Sequence, residues 1–475
     1  GWGAPVPQGP PAWPRPSQAP LPPGTRWPPV WGAPAPPPPP PRRRVGWIVA
    51  ALAGMLVLVL VAAVLVVRSG DQPGEARQVV GQRPATKLPP DPATDLPKLL
   101  AKRAKAVTDH DRAAFLATVD RRQKTYYQGQ ATLFARMRTV PFSDFDYRLN
   151  PNDLESAARL KRHYRAQQVQ LAPVQVRYRF QGQDASPVLA RESFTFVLTG
   201  SGWRIAGPGD RRMRGRDDAE IWHSDQVRTA RSPRTLIVHH PGHEELAQRL
   251  LRVADRAYAQ VGAAWTGRWE RKAVILVPSD QDEAERLVGA RNLSRVAAVA
   301  SSSVESGSAE RVLGNRIVVN TDNVVRYNGL NLQILVTHEM THVATRTLGD
   351  AVPLLLVEGF ADWAALKPVG LPLEATRPAL NARVDSGRFD GALPTDSEFR
   401  GGDAAVAYDE GSAFCLWVAN TYGAGKLQAL YRKFRGTGTT TPGELDGGFR
   451  SVLGISLRTA ERRWAAWVRD QLSSS

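Results

Sequence analysis

Two imidazoles and one carboxylate dominate what this sequence could do chemically. His338, Glu339 and His342 stand in the stretch LQILVTHEMTHVATRTL, whose apolar spacing predicts one helix. Positions four apart on a helix differ by about 40° of rotation, so both imidazoles project from one face. Two neutral ring nitrogens placed that way bind one Zn²⁺ at about 2.0–2.1 Å. Glu339 points to the side of the pair, where it takes a proton from water rather than ligating. A catalytic zinc needs a third protein ligand and one open position. Glu358, in LLLVEGFADW and 16 positions after His342, is the expected third ligand. Asp362, one helical turn further on, is placed to accept the free ring N–H of a ligating histidine and so fix its tautomer. Asp350 is an alternative acidic ligand, but it sits in the intervening turn with no partner four residues on.

The HEMTH and EGFAD segments together resemble the gluzincin class of zinc peptidases, and VEGFADW is similar to the corresponding segment of peptidase MA-like families of bacterial envelope proteins. The resemblance covers about residues 234–470. It implies a zincin-like α+β fold, one zinc per chain, and peptide hydrolysis by zinc-activated water with Glu339 as general base. The gap from His342 to Glu358 is a few residues shorter than in thermolysin-like enzymes, which bears on the loop. A metzincin would need glycine and a third histidine where Thr345 and Leu348 stand. The resemblance also implies an oxyanion donor on a later helix. Tyr408 is the candidate and Tyr422 a second choice, an ordinary half-buried tyrosine being the competing reading. The resemblance further implies that the strand NRIVVN, before the metal-binding helix, edges a cleft to which a substrate backbone adds, a plain internal strand being the competing reading. The competing function is a non-catalytic envelope binding or scaffold protein with a structural or vestigial zinc site, against which the intact Glu339 argues.

Elsewhere the chemistry is thinner. His239, His240 and His243 form HHPGH; a second metal site is conceivable, with surface histidines at a strand end as the plainer reading. Cys415, the one cysteine, lies in the apolar run SAFCLWVA and reads as a buried structural thiol. No nucleophile elbow, P-loop or dinucleotide fingerprint occurs, and no cofactor besides zinc is expected.

Certain elements must position this chemistry. The chain has 475 residues, a net charge of +17 and a hydrophobic content of 42%, enough for several folded units. The arginines are scattered without interleaved aromatic residues, so no nucleic-acid partner is expected. The sequence opens on Gly1 rather than Met, so initiating residues are expected upstream. Residues 1–45 form a proline-rich tail expected to be disordered or polyproline II and to face any cytoplasmic partner. Between Arg44 and Arg68 lie 23 uncharged residues, read as a transmembrane helix over 46–67. Arg42, Arg43 and Arg44 before it place the N-terminus in the cytoplasm, giving a single-pass membrane protein whose catalytic part meets an extracytoplasmic protein or peptide substrate. Residues 68–95 read as a linker. Over 96–206, helical spacing broken near Asp109 gives way to period-two strands, VQVRYRF, ESFTFVLTG and GWRIA. That order resembles the nuclear-transport-factor-2-like cone fold and carries no acid/base pair. Residues 207–233, rich in Arg, Asp and Gly, read as a second linker. Residues 234–475 read as the metallopeptidase domain, strands and helices alternating before a mostly helical second half. The expected fold class is therefore multi-domain: one transmembrane helix, an α+β cone-like domain and an α+β zincin-like domain.

Overall fold

The computed structural model describes residues 90–473, apart from 216, 291, 292, 295, 305–311, 346–351 and 436–439. The expected tail, the expected span over 46–67 and nearly all of the first linker lie outside the described residues. Among those described, no helix is long and apolar enough to cross a membrane. The expected fold class and single-pass location are corrected accordingly: what the structure describes is a mixed helical and sheet protein.

Helix α1 (Pro92–Thr108) starts where the Asp91 side chain accepts from the Ala93 N–H and proline fills the first helical position. Its buried Leu96, Leu99, Leu100, Arg103, Ala104 and Val107 follow the helical period. The break comes at Asp109, and α2 (Arg112–Ala117) is capped afresh by Asp111, whose side chain accepts from Ala114 N–H. With α3 (Lys124–Met137), these helices pack on an antiparallel sheet. Its strands are β1 (Phe142–Arg148), β3 (Gln168–Phe180), β4 (Val188–Thr199) and β5 (Gly202–Pro208), in the order β1-β3-β4-β5, with the two-residue β2 (Glu155–Ser156) on the flank of β3. In β3 the side chains of Val174, Val176, Tyr178 and Phe180 are buried while Gln175, Arg177 and Arg179 are not, as period-two alternation requires.

Residues 207–233, expected as a linker, are folded instead. They hold a short helix, α4 (Ile221–Ser224), with Ile221 and Trp222 buried, and a strand, β6 (Arg228–Arg231), that pairs with the next one. The arginine- and aspartate-rich composition masks these two apolar anchors.

The second sheet runs β6-β7-β8-β10-β9, with β7 (Thr235–His239), β8 (Ala273–Val277), β9 (Ala298–Val304) and β10 (Val312–Val319). Strands β7, β8 and β10 are parallel; the two edges are antiparallel. Helices α5 (Glu244–Ala264) and α6 (Gln281–Val288) connect the parallel strands. Every residue of β7 and β8 is buried, as in strands covered on both faces. Ile237, Ile275 and Ile317 face the helical core, whereas Leu236, Val238, Val274, Leu276 and Val318 share a core with the first sheet. The sheets touch closely at Gly314, where an added Cβ would lie 2.4 Å from Val188. Arg316 of β10 donates to both oxygens of Asp184, in the β3–β4 hairpin, at 2.7 and 2.8 Å.

The second half is helical: α7 (Gly329–Thr345), α8 (Leu354–Leu366), α9 (Pro378–Asp385), α10 (Ala404–Tyr422), α11 (Ala424–Lys433), α12 (Pro442–Leu453) and α13 (Leu457–Ser473). Helices α8 and α10 cross in backbone contact: a Cβ on Gly359 would lie 2.3 Å from the Gly411 carbonyl oxygen. Only glycine lets α8 settle that deep.

Candidate metal centre

Helix α7 is buried on nearly all sides, which its strongly apolar sequence permits. Gln260 of α5 accepts from Thr337 Oγ1 at 2.5 Å and from Gln333 Nε2 at 3.0 Å, fixing the rotation of α7 about its axis. Tyr431 of α11 donates to Thr345 Oγ1 at 3.1 Å and packs on Phe360 of α8, with ring centroids 5.4 Å apart. These contacts hold α7 and α8 in one register against each other.

That register brings the expected ligands together. His338 Nε2 and His342 Nε2 lie 3.0 Å apart, and Glu358 Oε2 lies 3.3 Å from the first and 3.4 Å from the second. A tetrahedral zinc with bonds of about 2.0–2.1 Å separates its ligand atoms by about 3.3–3.4 Å. The triangle therefore fits the ion, and the neutral-nitrogen and carboxylate donor set fits zinc chemistry. Among the described residues it is the one group of three or more His, Cys, Asp or Glu arranged to hold a metal. His338 and Glu358 are buried, and His342 is the partly exposed member. Asp350, the alternative ligand, lies outside the described residues.

Asp362 Oδ1 accepts from His338 Nδ1–H at 2.8 Å. That bond keeps a proton on Nδ1, so that Nε2 is the nitrogen whose lone pair a metal takes in exchange for its proton. Burial opposes charge on His338, but its hydrogen bonds to Asp362 and Glu358 hold it well above the ordinary imidazole range. Burial alone would raise Glu358; His342 and His338 outweigh it and hold the carboxyl at about 2. Glu339 goes the other way. Burial pushes its carboxyl up, the two imidazoles only partly offsetting this, and the Ala300 backbone N–H hydrogen-bonds to it. Two carboxyls of similar burial thus differ in character: one kept ionised at the nitrogen pair, the other raised toward the range useful for proton transfer.

Ala300 belongs to β9, and β9, not NRIVVN, is the edge of the sheet. The expectation for NRIVVN is corrected: β10 lies inside, between β8 and β9. The sequence AVASSSV sets only two β-branched residues, Val299 and Val304, among five small ones, which hid the true edge.

The two tyrosines sit in the helical half. Tyr408 is 4% exposed and packs on Phe399, with centroids 5.2 Å apart. Tyr422 packs on Trp417 at 5.6 Å and accepts from Arg463 at 3.5 Å. Cys415 is buried, and burial pushes its thiol pKa up.

Two of the three HHPGH histidines are buried, and His243 is partly exposed. His239 and His240 are 3% and 2% exposed. His240 Nδ1 donates to the Gln226 carbonyl at 2.7 Å, and its Nε2 meets Glu283 Oε1 at 3.0 Å. Glu283 Oε2 accepts from Ser279 N–H at 2.8 Å. Burial opposes charge in both groups, yet each favours it in the other: the imidazole pKa is raised and the carboxyl lowered. No spacing rule reveals this pair, whose members are 43 residues apart.

A histidine pair and glutamate on two packed helices, with a second glutamate alongside, define a candidate zinc site of the hydrolytic type. No protein-family model matches the chain, and no curated protein does. Among solved structures it is similar to native yeast LTA4 hydrolase, at 11% identity over 50% of this chain and 38% of that one, with a TM-score of 0.32. It is also similar to a mutant M1 zinc metallopeptidase from Deinococcus radiodurans, at 16% identity over 50% of this chain and 52% of that one, with a TM-score of 0.28. The same mutant bound to a Tyr-Ser-Ala substrate gives 16% identity over 50% and 51%, and a TM-score of 0.28. The chain thus spans about half or less of the length of these neighbours.

Proposed function

We propose that this chain is a zinc-dependent peptidase, with His338, His342 and Glu358 as metal ligands, Asp362 orienting His338, and Glu339 as the general base. The observation that carries the reading is the 3.0–3.4 Å triangle of ligand atoms beside a buried glutamate that takes no part in it. When bound, zinc supplies Lewis acidity, polarising a carbonyl and acidifying water at neutral pH. Glu339, with its carboxyl raised by burial, holds the proton taken from water and passes it to the leaving amine. The Ala300 N–H fixes that carboxyl in place. The edge strand β9 then offers its open side to a substrate backbone, which adds to it as an extra strand. Tyr408, on the helix that crosses α8, is our choice of oxyanion donor. The substrate is a protein or peptide. We assign the chemistry to residues 234–475 and read 96–206 as a nuclear-transport-factor-2-like unit packed against it.

The test is Glu339→Gln. It retains about one zinc per chain, as the parent does, and loses about 10²–10⁴ in peptide hydrolysis. If the variant cleaves a casein-type substrate at the parent's rate, or the parent itself binds no zinc, the reading fails.

A further inference from the structure

The outer face of the first sheet, opposite the one packed on α1, carries a small core of its own around Val169, Leu171, Val197 and Ala206. Two single helical turns lie on it. Lys161–Tyr164 is anchored by Leu160 and Tyr164, and Arg211–Arg214 by Met213. Every other residue of the two turns is exposed. A third segment is stapled beside the first turn. Arg122 is neutralised by Asp120, whose two oxygens it grips at 2.9–3.1 Å, and its Nη1 donates to the Arg165 carbonyl at 3.0 Å. That bond sets the exposed Arg121 and Lys124 next to Lys161 and Arg162. Arg165 ends the turn at φ 47°, a left-handed position that glycine or asparagine takes more easily, and adds one more exposed base.

Ten of the fifteen residues in 121–124, 159–165 and 211–214 are lysine or arginine and none is acidic, so three stretches distant in the chain pool into one basic face. The acids around it are largely engaged. Asp120 holds Arg122, Asp210 lies 3.8 Å from Arg159 and 3.5 Å from Arg212, and Glu155 lies 4.0 Å from Arg212. Asp153 is exposed near Glu155. The other seven bases form no ion pair among the described residues. On one helical turn, Arg211 and Arg214 have Cβ atoms about 5–6 Å apart, so a neutralising partner needs charges at similar spacing.

What the face lacks narrows the partner. Its described residues expose no large apolar side chain, and so no anchor of the kind that holds a protein partner. Tyr164 is turned onto the sheet against Gly207, leaving no aromatic platform on which bases could stack. Its helical elements are single turns, too short to enter the groove of a duplex.

We propose that this face binds a phosphate polymer without bases, a linear polyphosphate chain lying across the three segments. Such a chain carries its charge in the backbone, at close and regular spacing. Five of the seven unpaired bases are arginines, whose planar forks hold phosphate oxygens in pairs. The surface is separate from the metal centre and independent of the function proposed for it.

Calorimetry on the full chain with long-chain sodium polyphosphate tests this. Binding is saturable, and its constant falls linearly with salt on logarithmic axes. The double variant Lys161→Gln/Arg162→Gln, at two exposed positions, weakens binding about ten-fold at low salt and lowers the salt slope by about 2. Arg458→Gln/Arg462→Gln removes equal charge from the exposed side of α13 and leaves both quantities near the parent's. Comparing variants of one chain cancels what basic residues elsewhere contribute. Polyglutamate, a short DNA duplex and phosphatidylglycerol vesicles are the rival ligands, and each binds more weakly than polyphosphate. Three results would overturn the proposal: no saturable binding of polyphosphate, an equal loss in the α13 variant, or a rival that binds as tightly.

Discussion

Two of the His–Glu pairings among the described residues are deeply buried, and they have opposite outcomes. At His240 and Glu283 the polar atoms find partners within the protein: the Gln226 carbonyl, the Ser279 N–H and one another. At His338, His342 and Glu358, the tie to a group outside the cluster is that of His338 Nδ1 to Asp362, and the remaining atoms meet one another. Two ring nitrogens and a carboxylate oxygen are left aimed at one point, 3.0–3.4 Å apart. Lone pairs that close repel unless a cation lies among them. A buried His–Glu pair is thus a site when its acceptor capacity is left over, and a structural tie when that capacity is used up.

The comparison breaks first at the ligands. Glu358→Gln removes the anionic corner of the triangle, and zinc measured by atomic absorption after dialysis falls from about one per chain to background. Retention of stoichiometric zinc would show that a different acidic group completes the site.

The mirror experiment at the other pair has the opposite signature. Glu283→Leu strands His240 and the Ser279 N–H in the interior, at a cost of about 3–5 kcal/mol in unfolding free energy. Zinc content stays at the parent's value. Denaturant midpoint and metal content, measured together, separate the two outcomes. Loss of metal would mean that the pair supports the site across the sheet.

These contrasts also mark what the sequence made legible. His338, Glu339 and His342 are visible because helical periodicity converts a five-residue spacing into one face. Glu358 and Asp362 repeat that logic on the next helix, and the alternation of Val174, Val176, Tyr178 and Phe180 announces a strand. Such readings depend on neighbours within a turn or a pleat. The tie between His240 and Glu283 depends instead on where α6 returns to β7, and the edge position of β9 on the order in which strands pair. Neither is encoded locally. Ile221 and Trp222 were hidden for another reason: two apolar residues in a charged stretch do not form a period.

A smaller effect sharpens the role of Asp362. Asp362→Asn keeps a hydrogen-bond acceptor near His338 but removes the charge that favours its Nδ1 tautomer. Zinc affinity in a chelator competition falls about 10–100-fold, the usual range for groups that orient a ligand. Stability without metal changes less than in Glu283→Leu, since His338 retains a partner. Unchanged affinity would assign Asp362 to packing alone.

The smallest effect is in the pH dependence of the closed pair, and its sign follows from the two shifts. Glu283 is held below its ordinary value of 4.5 in the folded chain, so its contribution is present above that pH and lost as pH falls through the folded value. His240 is held above 6.5, so its contribution is complete below that pH and lost as pH rises through the folded value. The pair therefore stabilises most between about pH 4.5 and 6.5 and weakens above. Each kcal/mol moves the melting temperature by only about 1–2 °C in a chain this long, because the unfolding entropy grows with length. Comparing the parent with His240→Asn between pH 6 and 9 isolates the term, because an asparagine does not titrate there. The parent's advantage shrinks as pH rises through that window. An advantage that is constant or growing would show that His240 is neutral in the folded chain, making its bond to Glu283 an ordinary hydrogen bond rather than an ion pair.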